Sequence, residues 1–270
     1  MSTGEERQDF LRVGGMDDET RNALRRLVVS LADSKRLMGI RYSDWILGAP
    51  SIEAGIAASS MAQDEWGHAR LLYAMLKDLG EDPVAVEHER RADAYASVPP
   101  LDEAFPDWAA AVAGMVVVDG AVTVALQSFC EGAFEPACTR IPKMLAEEEF
   151  HRSLGEAWFR RLAEAPSGEA AELLRSAALG ALPSVLAWLG AEDAPARALA
   201  AAGLTRPGAE QTAAFRDQVR EVLAAVDIAV DDVPLDMEGW SEERGRGPGA
   251  PAEEAVERAR GDRNRMLFVE

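Results

Sequence analysis

Two stretches decide the fold: AGIAASSMAQDEWGHARLLYAM at residues 54–75 and IPKMLAEEEFHRSLGEAW at residues 141–158. In the first, Ala54, Ala58, Met61, Glu65, His68, Leu72 and Met75 follow one another in alternating steps of four and three. In the second, Ile141, Met144, Glu148, His151, Gly155 and Trp158 do the same. On a helix that rhythm gathers every member onto one face, and the apolar members mark the face as inward. Each helix therefore carries a Glu-x-x-His pair where core hydrophobes belong. The chain has 47 acidic residues in 270 and only three histidines. Chance alone would place an acid three residues before two chosen histidines in only about 3% of such chains.

Working outward, a third inward stripe runs through Val112, Met115, Asp119, Val122, Leu126 and Phe129 and aims Asp119 at the same interior. A buried carboxylate is strongly penalised unless it is paired or bound to a cation. A fourth stripe, Leu24, Val28, Leu31, Lys35, Met38, Tyr42 and Trp45, offers the core one charged group, Lys35. The spacing predicts helices over about 17–48, 51–79, 102–133 and 135–163, separated by Gly48-Ala-Pro50, Asp82-Pro83, Pro99-Pro100 and Glu135-Pro136. Short links pair the first with the second and the third with the fourth, and a long link from Gly80 to Leu101 joins the two hairpins. This is the connectivity of an all-α, ferritin-like four-helix bundle. Extra C-terminal helices are expected near 168–190 and 209–228. Residues 1–240 are thus expected to form one helical domain. The stretch 241–270, rich in Gly, Pro, Arg and Glu, is expected to be a flexible tail.

A net charge of −19 opposes binding to nucleic acid or to anionic membrane surfaces. A local basic cluster can still hold a small anion. The opening MSTGEERQDFLRVGG lacks the pattern of a secretion signal, and two cysteines with no C-x-x-C motif fit a reducing cytoplasm. The apolar run from Ala109 to Leu126 contains Asp119. That residue would cost about 2.5–3.5 kcal/mol at the centre of a membrane, so the run reads as a buried bundle helix.

Acids and imidazoles in an apolar bundle are the ingredients of a carboxylate-bridged di-iron or di-manganese site, and these ligand types suit both metals. The candidate ligands are Glu65, His68, Asp119, Glu148 and His151. The full pattern takes one acid from each of two helices and Glu-x-x-His from each of the others, and Lys35 breaks it. An ammonium there, beside Glu65 and Asp119, can replace a metal through a buried salt-bridge network. If burial instead lowers its pKa, a neutral amine can act as a ligand. Asp64, Glu147 and Glu149 flank the ligand positions as supporting partners or solvated acids, and His88, Arg90 and Arg91 lie in the long link, solvated or in reach of a phosphate.

The joint order of LADSKRLMGIRYSDW (31–45), AQDEWGHARLL (62–72), VDGA (118–121) and EEEFH (147–151) resembles the phenylacetyl-CoA epoxidase family over roughly residues 20–230. The resemblance implies a ferritin-like subunit of a multicomponent monooxygenase. In that family an A-type subunit carries the di-iron site, and a C-type subunit of the same fold lacks it. Glu65, His68, Asp119, Glu148 and His151 match ligand positions of the catalytic subunit, and Lys35 stands where its first-helix glutamate is expected. The stretch before Trp45 and RALAAAGL (197–204) look C-type. The leading reading is a di-iron oxygenase component that inserts one oxygen atom from O2 into an aromatic acyl-CoA, with Lys35 among its site residues. Its partners would be a second ferritin-like subunit and a flavin and iron-sulfur reductase, in a homo- or hetero-oligomer. The alternatives are a structural C-type subunit with a degenerate site, or a di-metal oxidase acting on another substrate.

Overall fold

Helix α1 (Asp18–Ser43) begins at Asp17, whose carboxylate accepts the Thr20 N–H at 2.7 Å, and Asp18 and Glu19 complement the positive helix start. Helix α2 (Ile52–Ala74) is capped in the same way by Ser51. The two form a hairpin with intimate packing. At Gly39 an added Cβ would fall 2.4 Å from the Trp66 indole nitrogen, so only glycine admits that ring against α1. The computed structural model describes residues 10, 11, 13–261 and 267.

The long link holds one short helix, α3 (Pro83–His88). The third bundle helix starts at Asp107, whose side chain accepts the Ala110 N–H, later than the expected residue 102. It runs as α4 (Trp108–Ala113), a π-helical segment (Gly114–Asp119) and α5 (Gly120–Cys130). Its most apolar window is 94% buried, which makes it a core helix of the bundle. Helix α6 (Glu135–Ala163) completes the four. Helices α7 (Glu169–Gly190), α8 (Ala194–Ala201) and α9 (Gly208–Ala224) follow and pack against the bundle helices. No β-strand occurs among the described residues, so the fold is all-α.

The four stripes point inward. Every member of the α2 stripe is buried, as are Val112, Met115, Val122, Leu126 and Phe129 of the third helix. Only Trp45 and Trp158 are half-buried. They sandwich Trp108 in edge-to-face contacts, with ring centroids 5.6 and 5.3 Å apart, at one end of the bundle.

Residues 241–261, within the stretch expected to be a flexible tail, form a strap packed on the crossover link and α1. The Arg246 side chain is fully buried and donates to Asp102 Oδ2 at 2.5 Å and Ser97 Oγ at 3.2 Å. Arg244 donates to the Tyr95 carbonyl at 2.7 Å. Helix α10 (Glu253–Arg260) buries Ala255 and Val256, and Arg36 of α1 donates to its Ala259 carbonyl at 2.5 Å. Low apolar content predicts disorder because little surface can be hidden. Here arginines anchor the segment instead, by satisfying carbonyls and carboxylates distant in sequence. Residues 262–266 and 268–270 of the expected tail, and residues 1–9 and 12 of the opening stretch, lie outside the described residues.

Arg246→Met leaves Asp102 without its buried partner. It should lower unfolding free energy by about 3 kcal/mol in urea melts, where a mobile tail would register no loss.

Candidate functional site

Four helices deliver the polar residues of the interior to a single layer. Lys35 comes from α1, Glu65 and His68 from α2, Asp119 from the last position of the π segment, and Glu148 and His151 from α6. Asp119 thus arises where the third helix departs from α geometry, a departure that recurs at functional sites. One turn beyond His151, Gly155 brings α6 against the same segment: an added Cβ would stand 2.9 Å from Met115 Cβ. All six side chains belong to residues no more than 2% exposed.

The Lys35 ammonium occupies the centre. Its Nζ donates to Glu65 Oε1 at 3.1 Å, Asp119 Oδ1 at 2.7 Å and Glu148 Oε1 at 2.5 Å. The far oxygens of two of these acids are also held. Tyr42 donates its hydroxyl to Asp119 Oδ2 at 2.6 Å, and Thr123 donates to Glu148 Oε2 at 2.9 Å. The third, Glu65 Oε2, has no hydrogen-bond partner.

The two histidines are held reciprocally. His68 of α2 turns Nε2 to Glu147 of α6 at 2.8 Å, and His151 of α6 turns Nε2 to Asp64 of α2 at 3.4 Å. Their inner nitrogens face the cluster, His68 Nδ1 at 3.0 Å from Glu148 Oε1 and His151 Nδ1 at 3.3 Å from Glu65 Oε1. Both contacts are close enough for ion pairing yet off the axis of a hydrogen bond, so neither Nδ1 is satisfied.

Burial opposes the charged form of every member, and the neighbours decide the outcome. For Lys35 the fields of Asp119, Glu148 and Glu65 outweigh desolvation and hold the ammonium well above the ordinary lysine range. For His151 contacts with Asp119, Glu148 and Glu65 likewise overcome burial and keep the imidazolium far above its usual value, and His68 is raised in the same sense. Burial is offset at Glu148 by Lys35 and the two histidines, which hold it well below the carboxylate range. At Glu65 burial and Asp119 prevail over Lys35, and its pKa is pushed up to about 7. Three carboxyl groups are therefore balanced by cations that the chain itself supplies.

Glu65, Asp119, Glu148 and His151 each offer a ligand atom within 4.8 Å of the others, a set able to hold a metal ion. His68 stands beside this set rather than in it. The arrangement already contains a cation, however, and a metal among these oxygens would have to displace the Lys35 ammonium or strip its proton. As folded, the donor set fits the internal lysine better than a metal pair. A cavity touching Asp119 and Glu148 measures about 10 Å³, room for one water molecule.

Of the flanking acids, Asp64 and Glu147 support histidines, whereas Glu149 turns to Arg152 at 2.5 Å on the surface. Arg90 is committed to the buried Asp33 and does not reach outward for a phosphate. His88 lies 3.5 Å from Arg36. Sequence reasoning did not assign the roles of Tyr42 and Thr123. The signal for both was positional: Tyr42 lies two turns beyond Lys35 on the same stripe, and Thr123 lies one turn beyond Asp119.

Lys35→Met should cost about 3–5 kcal/mol, because it strands buried carboxylates without a counter-charge; a loss below about 1 kcal/mol would show that the ammonium is dispensable. A pH series tests the imidazolium. Its native pKa lies above the unfolded value of 6.5, so its contribution is complete below that pH and is lost as pH rises towards the native value. The melting temperature should therefore fall from about pH 6.5 to about pH 9 more steeply in the native chain than in His151→Gln, and equal slopes would count against the charge assignment.

A family model described as phenylacetic acid catabolic protein matches residues 12–247, a span that covers the bundle and reaches through the buried Arg246. No curated protein matches the chain. The match spans the inward layer and places the chain's work in the catabolism of phenylacetic acid. The chain belongs to this family, the phenylacetic acid catabolic proteins.

Proposed function

We propose that this chain is the structural, non-catalytic ferritin-like subunit of an oxygenase complex acting on phenylacetyl-CoA, and that it partners a second ferritin-like subunit which holds the metal. One observation carries the reading: Lys35 Nζ lies within 3.1 Å of three carboxylate oxygens, at the centre that a bridging cation would need. A buried ammonium with three acceptors, aided by the two imidazoles, offsets the charge of the layer and fills the position an open metal site would need for oxygen. The water-sized cavity beside Asp119 and Glu148 supports the same reading, since it gives no room for an acyl group.

A second reading, a working di-iron subunit, draws support from Glu65 Oε2, His68 Nδ1 and His151 Nδ1, three ligand-type atoms left without hydrogen bonds. Anaerobic loading with ferrous ion separates the two. The native chain should retain less than about half an iron per chain, and Lys35→Glu, which restores a carboxylate to the first helix, should retain more. About one or more irons in the native chain, together with phenylacetyl-CoA oxygenation by this chain and a reductase alone, would overturn the structural reading.

A further inference from the structure

A second site lies away from the lysine layer. A cavity of about 70 Å³ opens between α1, α7, α8, α9 and the strap. Its apolar walls include Leu27, Leu199 and the indoles of Trp188 and Trp240. Both indole N–H groups are spent on the protein, Trp188 on Ser30 Oγ at 3.0 Å and Trp240 on Asp193 Oδ2 at 3.1 Å. The rings therefore offer the cavity apolar surface and no free donor.

Two arginines line the same space, and they differ. Arg26 is engaged by Asp193 through two bonds, at 2.5 and 2.8 Å. The Arg206 Nε and Nη2 atoms are buried with no hydrogen-bond acceptor. The nearest carboxylate oxygen to Arg206, Glu131 Oε2, stands 3.3 Å from Nε, off the axis of a hydrogen bond, on a residue that does not line the cavity. The Arg206 side chain is 28% exposed and ion-paired with Glu131, yet two of its nitrogens lack an acceptor, and a guanidinium's parallel donors match the two oxygens of a carboxylate. Thr205 adds a hydroxyl to the lining. Few polar groups on apolar walls are the composition of a small-molecule site, and its size limits the ligand.

We infer that this cavity binds a short aliphatic monocarboxylate, with its carboxylate on Arg206 and its alkyl end against Leu27, Leu199 and the two indoles. The volume decides the size class. At about 10–15 Å³ for one water, it holds a group of several heavy atoms, whereas an apolar cavity that takes benzene is about 150 Å³. Acids of about two to four carbons fit, and an aromatic ring does not. Trp240, at the entry to the strap, sets that limit because its ring forms part of the wall. The assignment is independent of whether the lysine layer holds metal.

The test titrates the full chain with acetate, propionate, butyrate and phenylacetate by calorimetry, with saturation transfer to the ligand methyl or methylene protons as a second readout. Sodium chloride at matched ionic strength controls for screening. Propionate or butyrate should bind saturably. Arg206→Gln should weaken it by at least about tenfold, and Arg206→Lys, which keeps the charge but loses the fork, should weaken it as well. Trp240→Ala should admit phenylacetate. Absence of saturable binding to the native chain would overturn the inference, as would affinity unchanged in Arg206→Lys or phenylacetate binding the native chain as well as propionate does. Arg206→Lys keeps the charge at that position and so serves as the deciding variant if Arg206→Gln does not fold.

Discussion

The contact between the Lys35 ammonium and the carboxylates of Glu65, Asp119 and Glu148 is the constraint on which the arrangement of the four helices rests. Each partner comes from a different helix, so the ammonium is a four-way junction with one residue per helix. Neither side of the junction is tolerable alone. A lone ammonium or a lone carboxylate in an apolar interior costs several kcal/mol, and their attraction recovers this only when geometry and hydrogen bonding are good. Tyr42 and Thr123 supply that geometry by holding the outer oxygens of Asp119 and Glu148. Apolar packing alone tolerates small slides of one helix along another. A junction with three acceptors at hydrogen-bonding distance does not, and it fixes the register of α1 against the other three.

The histidines add a second level of constraint with an approximate exchange symmetry. Helices α2 and α6 each give the other an acid for the outer face of its imidazole, Asp64 to His151 and Glu147 to His68. The same two helices each contribute a glutamate to the lysine. Each imidazole therefore spans from a buried carboxylate to one near the surface. Such bridging orients the rings whether or not a metal is involved, as supporting carboxylates do in metal sites.

The inward stripes were legible because helical periodicity is a local property, and every ligand-type residue on them lies where three-and-four spacing puts it. Lys35 was legible as a misfit in an otherwise complete pattern, with Glu65 and Asp119 expected beside it, but its bond to Glu148 and the outer supports from Tyr42 and Thr123 were not, since hydrogen bonds across helices leave no trace in linear spacing. The π segment had no sequence signature, although it delivers Asp119. The anchoring of the strap was not legible for a related reason. Composition measures how much apolar surface a segment can hide, and this segment is held by Arg244, Arg246 and the Arg36 bond to Ala259, whose partners lie between 144 and 223 positions away. Asp33 escaped notice in the same way, although it is fully buried and organises Tyr73, Arg90 and the Ala96 N–H around itself.

The strap also bears on the order in which the molecule can be assembled during synthesis. Asp102, in the crossover link, is buried against a guanidinium that is translated 144 residues later. The four bundle helices are all complete by Ala163, while the ribosome still has more than eighty residues to add before Arg246 exists. A nascent bundle therefore carries an unfinished seam along its crossover link, with the Tyr95 carbonyl and the Asp102 carboxylate awaiting donors. Only the arrival of Arg244 and Arg246 closes it. Contacts of such long sequence separation form late. A segment made after all four bundle helices is thus the one that seals the link between the two hairpins.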